Sequence, residues 1–419
     1  MRKTHNPTVR TALFLLTWLI LGSVSVFGQF RVMSYNILNY PTSELLGRAD
    51  TLRNIVDHVQ PDLFLIQELK SEWGLEQLLT VSFANFDNYL ASEFVPQNNG
   101  GSNGLQQAII YNSEIFTLHS QDEIYTSYRD VNEFVLYFND EGVLNGDTTF
   151  LYVYVTHLKS SEGNENEQLR LEMVEAWREH VALNVPDNAY MLLGGDFNLY
   201  TYLEPAYQLI LNAGGNHPMY DPLDAPGVWT DSGYPFKQYL TQSTRQNVIF
   251  NDGAGGGIDD RFDFVMLSEA LMNTANDIHY AEDSYHPLGN NGTCFNQSII
   301  DCDQGNEVPY DVLQSLYYMS DHLPVVLDME LNLNIIQQVP HLANATISMY
   351  YNPNQHALGL SGNKQPGKVE LYNASGVLIA SLPYDAYVSA LALPHLPDGM
   401  YIARETTGGA FIRFVCAER

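Results

Sequence analysis

Polar side chains suited to phosphate and metal chemistry interrupt six apolar runs of strand length. Burying one such group without a partner costs on the order of several kcal/mol. One shared site at a common sheet edge explains the six interruptions better than six unrelated accidents, because the groups would neutralise each other around a cation. Taken singly, each residue has an ordinary structural explanation, such as a helix cap or a satisfied core histidine. The residues are Asn36, Glu68, His157, the pair Asp196 and Asn198, Asp263, and the pair Asp321 and His322.

Strands and helices that alternate along the chain must bring these residues together. Apolar spacing near 3.6 predicts helices over residues 43–59, before a stop at Pro61, and over residues 164–183. The order is mixed, with hairpin-like neighbours as well as helix crossovers, which favours an α/β sandwich in which helices cover stacked sheets. Strands are predicted over residues 31–38, 62–69, 106–112, 133–138, 150–158, 190–198, 261–267 and 321–331.

The charge of the chain is strongly negative and unevenly placed. The 419 residues include 49 acidic and 19 basic side chains, which gives a formal net charge of -30. Residues 29–332 hold 44 acidic and 11 basic side chains, whereas residues 333–419 hold five of each. A general nucleic-acid-coating protein is excluded, because tight sequence-independent binding to polyphosphate depends on Lys and Arg. A protein that uses a metal ion is not excluded.

Six short strings, in their order and approximate spacing, resemble the endonuclease/exonuclease/phosphatase superfamily. The resemblance covers about residues 30–330 and implies a four-layer α-β-β-α sandwich (DNase I-like), with two mixed sheets inside and the site at one edge of the sheets. It also implies cleavage of phosphate esters with a divalent cation, usually Mg²⁺, with Mn²⁺ as the alternative. The strings are MSYNIL (33–38), IQE (66–68), THLKS (156–160), GGDFN (194–198), RFDFVMLS (261–268) and SDHLPV (320–325).

The roles of metal ligand and water-orienting base fall on positions that match the family's motifs. Glu68 is the best metal ligand, because Mg²⁺ prefers carboxylate oxygen and keeps several waters. Asn36 would contribute a neutral oxygen or a phosphate contact beside it. Asp196 resembles the family's water-orienting carboxylate and candidate general base, and Asn198 would contact phosphate or hold Asp196.

His157 and His322 are candidate cationic hydrogen-bond donors to the phosphate oxygens. Histidines in that role need partners in order to stay protonated near neutral pH. Asp263, which matches the family's aspartate in the RFDF strand, would pair with one of them. Asp321 would either steady a histidine or approach the metal. Which carboxylate pairs with which histidine is open from the sequence.

Arg129 is a further candidate for contact with the substrate phosphate. Gln107, Arg170 and Arg261 are second candidates for the same contact, and structural salt bridging is the alternative for each. The loops of residues 95–135 show no clear counterpart of every phosphate-contacting side chain of the family. The substrate branch is therefore open.

Two loops offer further features. Asp259 and Asp260, which follow the glycine-rich run 253–257, are candidate ligands of a structural Ca²⁺. Cys294 and Cys302, eight positions apart, could pair in an oxidising compartment, which would leave Cys416 unpaired.

The acidic balance bears on the substrate. Abasic-site repair requires a protein to grip and bend a long duplex, for which the basic residues of the middle zone are too few. We expect a secreted DNase I-like nuclease that binds its nucleic-acid substrate weakly. One alternative is a sphingomyelinase-like or inositol-phosphate-type phosphoesterase, with Trp73, Trp229, 234–236 and 317–318 as candidate membrane contacts. The other is a non-catalytic surface protein that retains the fold.

The two ends of the chain predict export. Residues 1–28 combine a positive segment with a ten-residue apolar stretch, which is typical of a signal peptide and too short to span a bilayer. Residues 29–332 are the predicted catalytic domain, and residues 333–345 are a predicted linker.

Residues 346–419 have the pattern of a small all-β sandwich. Its strings KVELYNASG (368–376) and LPDGMYIA (396–403) resemble the C-terminal sorting domain of bacterial type IX secretion substrates. A carbohydrate- or surface-binding module is the competing interpretation. We expect a secreted or cell-surface monomer that the secretion machinery recognises through this domain and that does not insert stably in a membrane.

Overall fold

The computed structural model describes two compact units that divide between Asn334 and Ile335. In the first unit it describes residues 28–333 apart from 43–46, 99–103, 141, 144–145, 231, 304 and 306–307. In the second it describes residue 335 and residues 347–416 apart from 353–355, 363–366, 374–376, 386–387, 389, 398 and 407–410. The predicted signal peptide before Gly28 lies outside the described residues, as does most of the predicted linker.

Two mixed sheets form the centre of the first unit. The strand order is β11-β13-β1-β2-β4-β3 in the first sheet, with β12 also on β13, and β5-β6-β7-β8-β10-β9 in the second. The strands are β1 (Gly28–Tyr40), β2 (Leu63–Leu69), β3 (Tyr89–Ala91), β4 (Gln106–Asn112), β5 (Phe116–Ile124), β6 (Val131–Phe138), β7 (Phe150–His157), β8 (Tyr190–Asp196), β9 (Met219–Tyr220), β10 (Asp263–Ser268), β11 (Ile278–Tyr280), β12 (His286–Pro287) and β13 (Val325–Leu331).

Each sheet has one parallel pair of strands near its middle, β1 with β2 and β7 with β8, and its other pairs are antiparallel. The two sheets face each other closely where β8 passes β2, because a Cβ added at Gly194 would lie 2.5 Å from Leu65 Cδ1. A side chain at position 194 would therefore push the sheets apart.

Helices cover the outer faces of the two sheets. They are α1 (Arg48–Val59), α2 (Glu72–Gln77), α3 (Asn164–Asn184), α4 (Pro205–Leu211), α5 (Glu269–Met272) and α6 (Tyr310–Met319). Helix α1 packs on α6, and α3 packs on α4. On the second sheet, Trp177 of α3 meets the edge of Tyr154 of β7 with ring centroids 5.7 Å apart. The result is the four-layer α-β-β-α sandwich expected from the sequence.

The local sequence accounts for the two long helices. Buried residues recur every three or four positions in α1, at Leu52, Ile55, Val56 and Val59, so one stripe faces the core. Helix α1 ends where Gln60 adopts the left-handed conformation, one residue before the predicted stop at Pro61. Both helices begin or end within a few residues of the predicted bounds. Among the described residues, no helix has the length and apolar character that crossing a membrane requires.

Three elements that the sequence patterns did not indicate complete the first unit. Strand β5 reads TLHSQDE over most of its length and alternates irregularly between half-buried and exposed side chains, which hides it from a search for apolar runs. Helices α4 and α6 also went unpredicted. Cys294 and Cys302 form a disulfide, and Cys416 is free and buried.

The second unit is all-β in its described residues. It contains a three-stranded sheet, order β14-β15-β18, and a four-stranded sheet, order β17-β16-β19-β20. The strands are β14 (Ile347–Asn352), β15 (Ala357–Gly362), β16 (Gly367–Asn373), β17 (Leu378–Tyr384), β18 (Ala390–Ala392), β19 (Gly399–Glu405) and β20 (Phe411–Cys416). Its core includes Leu358, Val369, Leu371 and Ala403, all buried.

Candidate active site

The polar residues that interrupt the strands meet at one edge of the two sheets. Asn36, Glu68, His157 and Asp196 lie near the carboxyl ends of the central parallel strands. Asp263 begins β10, which runs antiparallel to β8, so that Asp263 is the register partner of Asp196. Asp321 and His322 come just before β13, which runs antiparallel to β1. The reversal of direction brings the starts of these two strands to the edge where the parallel strands end.

Asn36 joins the two sheets of the site. Its Nδ2 atom donates to Glu68 Oε1 and to Asp196 Oδ2, each at 3.0 Å. Its Oδ1 atom accepts the backbone N–H of Leu38 at 3.0 Å. The amide therefore turns its nitrogen to the carboxylates and its oxygen to the backbone. Asn36 acts here as a donor between two carboxylates, not as the oxygen ligand of a metal that the sequence suggested.

The Glu68 carboxylate is held from both sides by β1. Its Oε2 atom accepts the backbone N–H of Asn39 at 2.7 Å, while Asn36 holds the other oxygen. Leu38 and Asn39 both have positive φ, 44° and 50°, and this left-handed turn aims the Asn39 N–H at Glu68. Burial, followed by the charge of Asp321, raises the pKa of Glu68. A cation nearby would favour its ionised form.

Asp196 lies at the centre of the site. Its Oδ2 atom is 3.4 Å from His157 Nε2 and 3.6 Å from His322 Nε2. Burial raises the pKa of Asp196 to about 7, opposed by the charge of His322 and assisted by that of Asp263. The preceding Gly195 has φ of 150°, and a Cβ there would lie 1.9 Å from the carbonyl oxygen of Thr156. Glycine is thus required just before this aspartate.

The two histidines have different surroundings. His322 Nδ1 lies 2.8 Å from Asp263 Oδ2, which settles which carboxylate pairs with it. Burial alone would lower the pKa of His322, but Asp263, Asp196 and Asp321 outweigh it and raise that pKa well above its ordinary value. Burial, with the charge of Arg129, lowers the pKa of His157 well below its ordinary value. His322 is therefore the cationic imidazole of the pair, and His157 is the neutral one.

Asp321 lies beside the site and binds a loop. Its Oδ2 atom accepts the backbone N–H of Ala254 at 2.6 Å and the Gln242 side-chain amide at 3.2 Å. Its Oδ1 atom is buried without a hydrogen-bond partner among the described residues. The charge of Asp321 reaches both Glu68 and His322, because it raises the pKa of each. Both roles that the sequence offered for Asp321, metal approach and support of a histidine, are compatible with this position.

Asn198 and Arg129 occupy the back of the site. Asn198 has φ of 49°; its backbone N–H donates to Asp196 Oδ1 at 3.0 Å, and its Nδ2 donates to the carbonyl of Leu158 at 3.3 Å. Asn198 thus holds Asp196, as one of its two predicted roles requires. Arg129 is buried, and its Nη1 donates to the Leu158 carbonyl at 2.8 Å. Its charge raises no ion pair with a carboxylate within 4 Å among the described residues.

The second candidates for phosphate contact have structural partners. Arg170 is fully buried and bonds Glu204 at 2.8 Å, and Arg261 is fully buried and bonds both oxygens of Asp221 at 2.8 Å. Gln107 donates to the backbone carbonyl of Asp130 at 2.9 Å. These are the salt bridges and core bonds that the sequence offered as the alternative.

Two residues of the site carried no assigned role in the sequence. The Gln242 Nε2 atom lies 2.6 Å from His322 Nε2, so Gln242 touches the outer nitrogen of the imidazole. Arg48, buried in the first turn of α1, donates to the carbonyl oxygens of Leu38 at 2.8 Å, of Ile37, and of Met319 at 2.5 Å. The string TQSTR contains Gln242 and was the available signal. Arg48 gave none, because a basic residue in a polar helix turn resembles an ordinary surface charge.

Residues 33–322 match the model of the Endonuclease/Exonuclease/phosphatase family. The chain belongs to this family. Members of the family are hydrolases, phosphodiesterases and nucleases that use divalent metal ions. A search of curated proteins found no match.

Three solved structures illustrate the similarity of the endonuclease/exonuclease/phosphatase fold. A humanized TDP2 of D. rerio is 19% identical, covering 72% of this chain and 98% of that one with a TM-score of 0.44. The human Nocturnin catalytic domain with bound sulfate is 17% identical, covering 72% and 93% with a TM-score of 0.48. An endonuclease/exonuclease/phosphatase family protein from Bacteroides thetaiotaomicron is 15% identical, covering 73% and 99% with a TM-score of 0.45.

The donor set of the site fits the divalent metal that this family uses. Two groups of side chains place ligand atoms within 4.8 Å of one another: Glu68 with His157 and Asp196, and Asp196 with Asp263 and His322. Glu68 keeps 11% of its side chain exposed, which leaves its carboxylate open to the cleft. The unpartnered Oδ1 of Asp321 lies on the same side. Carboxylate oxygens of this kind suit a hard cation such as Mg²⁺.

Proposed function

We propose that this protein is a divalent-metal-dependent phosphodiesterase, and that its substrate is nucleic acid cleaved outside the cell. The observation that carries the proposal is the convergence of Glu68, Asp196 and the His322–Asp263 pair at one sheet edge. Hydrolysis of a phosphodiester needs an aligned water, charge compensation at the phosphate, and help for the leaving oxygen. The site offers a group for each need.

Asp196 suits the role of water-orienting base. Asn198 and Asn36 each hold one of its oxygens at 3.0 Å, so the carboxylate has a fixed direction. Its pKa of about 7 places it near the pH at which a carboxylate both accepts a proton and remains partly ionised. Near neutral pH it therefore takes the proton of a water that attacks the phosphorus.

His322 suits the role of donor to a phosphate oxygen. Asp263 fixes the imidazole through Nδ1, which leaves Nε2 facing Asp196 and the cleft. Its raised pKa keeps the ring charged, so that it stabilises negative charge as the phosphate reacts. The neutral His157, 3.4 Å from Asp196 on the other side, adds an uncharged nitrogen to the same oxygen.

Glu68 and Asp321 would hold the metal ion. When bound, Mg²⁺ supplies charge compensation at the phosphate and polarises its oxygen. The protein contributes the orientation of Glu68, which Asn36 and the backbone of Asn39 fix at 3.0 and 2.7 Å. Mn²⁺ has the same preference for oxygen donors and is the expected substitute.

The test uses the purified full chain with plasmid DNA in Mg²⁺, with and without Ca²⁺. We expect nicking that EDTA removes and that the Asp196→Ala variant lacks while its unfolding midpoint stays close to wild type. Arg53→Ala, which removes an exposed pair with Asp50, is the control and should nick normally. Nicking by Asp196→Ala within a few-fold of wild type would contradict the assignment.

A lipid phosphodiesterase is the second candidate, and exposed aromatic side chains favour it. Trp73 is 59% exposed in α2, which follows the strand of Glu68, and Phe250 and Tyr318 line a small cavity with Leu38. Trp229, by contrast, is fully buried and belongs to the core. Release of phosphocholine from sphingomyelin vesicles, without nicking of DNA, would favour this candidate over the nuclease.

Export is also part of the proposal. The apolar segment within residues 1–28 and the sorting-domain strings after residue 346 support it. The Cys294–Cys302 disulfide is in keeping with an oxidising compartment. Mass spectrometry of the culture medium would test it: the expected species begins at Gln29 and lacks residues 346–419, whereas a full-length intracellular protein would contradict export.

A further inference from the structure

The basic side chains of the first unit are few, and nearly half of them are inside it. Residues 29–332 contain 11 Lys and Arg, all of them among the described residues. A protein that grips a nucleic-acid strand neutralises several phosphates with exposed side chains of this kind. Five are buried and unavailable for that purpose: Arg48, Arg129, Arg170, Arg245 and Arg261.

Most of the remaining six are also committed to other groups. Arg31 bonds Asp328 at 2.6 Å, and Arg53 pairs with Asp50. Arg178 donates to the backbone carbonyls of Leu209 at 3.0 Å, of Ile210, and of His217 at 2.7 Å.

The three lysines that remain do not form a track for a polymer. Lys237 lies 4.0 Å from the Phe295 ring centroid, and Lys70 is exposed one residue after β2. Lys159 follows His157 by two residues and lies 5.3 Å from the Tyr128 ring centroid. The site thus has one half-buried amine beside it along the chain, which matches one phosphate contact.

Carboxylates stand on the opposite side of the cleft, near His322. Burial raises the pKa of Asp260 to about 7, with contributions from Asp259 and Glu162 that place both carboxylates close to it. The charge of His322 acts on Asp260 in the other sense, so this acidic group adjoins the site. Glu162 is exposed and two residues before α3. Phosphates on either side of a scissile bond would meet this negative charge.

We propose that the site takes a nucleotide phosphodiester of low charge, such as a dinucleotide, and engages one phosphate at a time instead of gripping a long strand. This inference rests on the phosphodiesterase activity proposed above. It predicts an enzyme for which polymer length brings no gain in efficiency. It also predicts weak dependence on salt, because few counterions are released on binding.

The test compares the dinucleotide dTpdT with plasmid DNA on the purified full chain, at fixed Mg²⁺ and at 50 and 200 mM KCl. We expect kcat/KM per bond for dTpdT to equal or exceed that for plasmid. We expect the plasmid value to fall by less than about fourfold between the two salt concentrations, as for a single phosphate contact. A preference for plasmid with a fall of tenfold or more would overturn this inference alone. Hydrolysis of neither substrate would remove the proposed function, and the inference with it.

A pair of charge reversals locates the effect. Glu162→Lys adds a cation beside the cleft, whereas Glu179→Lys makes the same change in an equally exposed glutamate near the other end of α3, about 22 Å further along the helix. We expect Glu162→Lys to raise plasmid cleavage at least threefold at 50 mM KCl and to leave dTpdT unchanged. Glu179→Lys should change neither. Equal gains from both reversals, or none from Glu162→Lys, would overturn the role of the acidic cleft.

Discussion

The carboxylate of Asp263 holds the imidazole of His322 at 2.8 Å, between strands that lie in different sheets of the sandwich. Asp263 begins β10 of the second sheet, and His322 comes three residues before β13 of the first. The pair therefore depends on the packing of both sheets. Both side chains are buried, so water does not compete for the bond.

Asp263→Asn should leave the fold intact and remove most of the activity. The amide keeps the size of the side chain but lacks the charge that sustains the imidazolium of His322. We expect kcat for dTpdT hydrolysis to fall by about 10²-fold or more, with KM changed little, since the histidine is needed mainly as the phosphate reacts. Steady-state kinetics with a circular-dichroism melt would measure both. The control is Asp328→Asn, which breaks the Arg31 pair at the end of β13 away from the site and should keep kcat.

Arg48→Lys should lower kcat because Arg48 holds the turn that positions Glu68. Its guanidinium takes the carbonyls of Ile37 and Leu38, and the next residue, Asn39, gives its N–H to Glu68. A lysine cannot reproduce the fork of donors. We expect about a 10- to 100-fold loss of kcat, since small misplacements of a catalytic group have effects of this size, and a higher Mg²⁺ concentration for half-maximal activity.

Arg178→Lys is the matched control for Arg48→Lys. Arg178 also donates to three backbone carbonyls, but those of Leu209, Ile210 and His217 lie on α4 and the loop after it. Each variant should lose about 1–3 kcal/mol of unfolding free energy. Only Arg48→Lys should lose kcat. Equal kcat losses in the two variants would refute a positioning role for Arg48.

The sequence predicted those site residues that stand where a strand pattern breaks. Asn36, Glu68, His157 and Asp196 each end an apolar run, so the run itself placed them at a sheet edge. The partner of His322 stayed open because it depends on how the two sheets stack, and no local pattern reports that distance. Asn36 likewise shows its orientation only in three dimensions, since the N–H of Leu38 claims its oxygen.

Contacts made through irregular backbone were beyond the sequence. Gln242 lies in the long loop after β9, where no periodicity marks which side chain turns inward. It reaches His322 because residues 241–244 run beside residues 320–323: Leu323 donates to Thr241 at 2.8 Å and Thr244 to Asp321 at 3.0 Å. Strand β5 was missed for a related reason, since an edge strand with polar side chains has no apolar run.

Gly195→Ala should destabilise the fold strongly. A Cβ at this position would lie 1.9 Å from the Thr156 carbonyl oxygen, and φ is 150°, a conformation that only glycine adopts easily. We expect a loss on the order of 3 kcal/mol or more, measured as a shift of the urea midpoint at constant m. Gly214→Ala is the control: φ is 79° but nothing lies within 4 Å, so the loss should be near 1 kcal/mol. Equal losses would mean that backbone strain, not the contact with Thr156, governs the site.

Stability should depend on pH through the pair of His180 and Glu133, whose Nε2 and Oε2 atoms lie 2.9 Å apart. The hydrogen bond to Glu133 raises the pKa of His180 above 6.5. Burial opposes ionisation of Glu133, but His180 and Tyr154 outweigh it and lower the pKa of Glu133 below 4.5. The histidine's contribution is complete below pH 6.5 and disappears as pH rises through its raised pKa; the glutamate's is complete above pH 4.5 and disappears as pH falls through its lowered pKa.

The pair should therefore stabilise the protein most between about pH 4.5 and 6.5. His180→Gln should lose more unfolding free energy, relative to wild type, at pH 5.5 than at pH 9. Urea unfolding at the two pH values measures this difference. In the Glu133→Gln background the same substitution should cost equal amounts at both pH values, because the partner charge is gone. A pH-dependent loss that persists in that background would assign the effect to another group near His180.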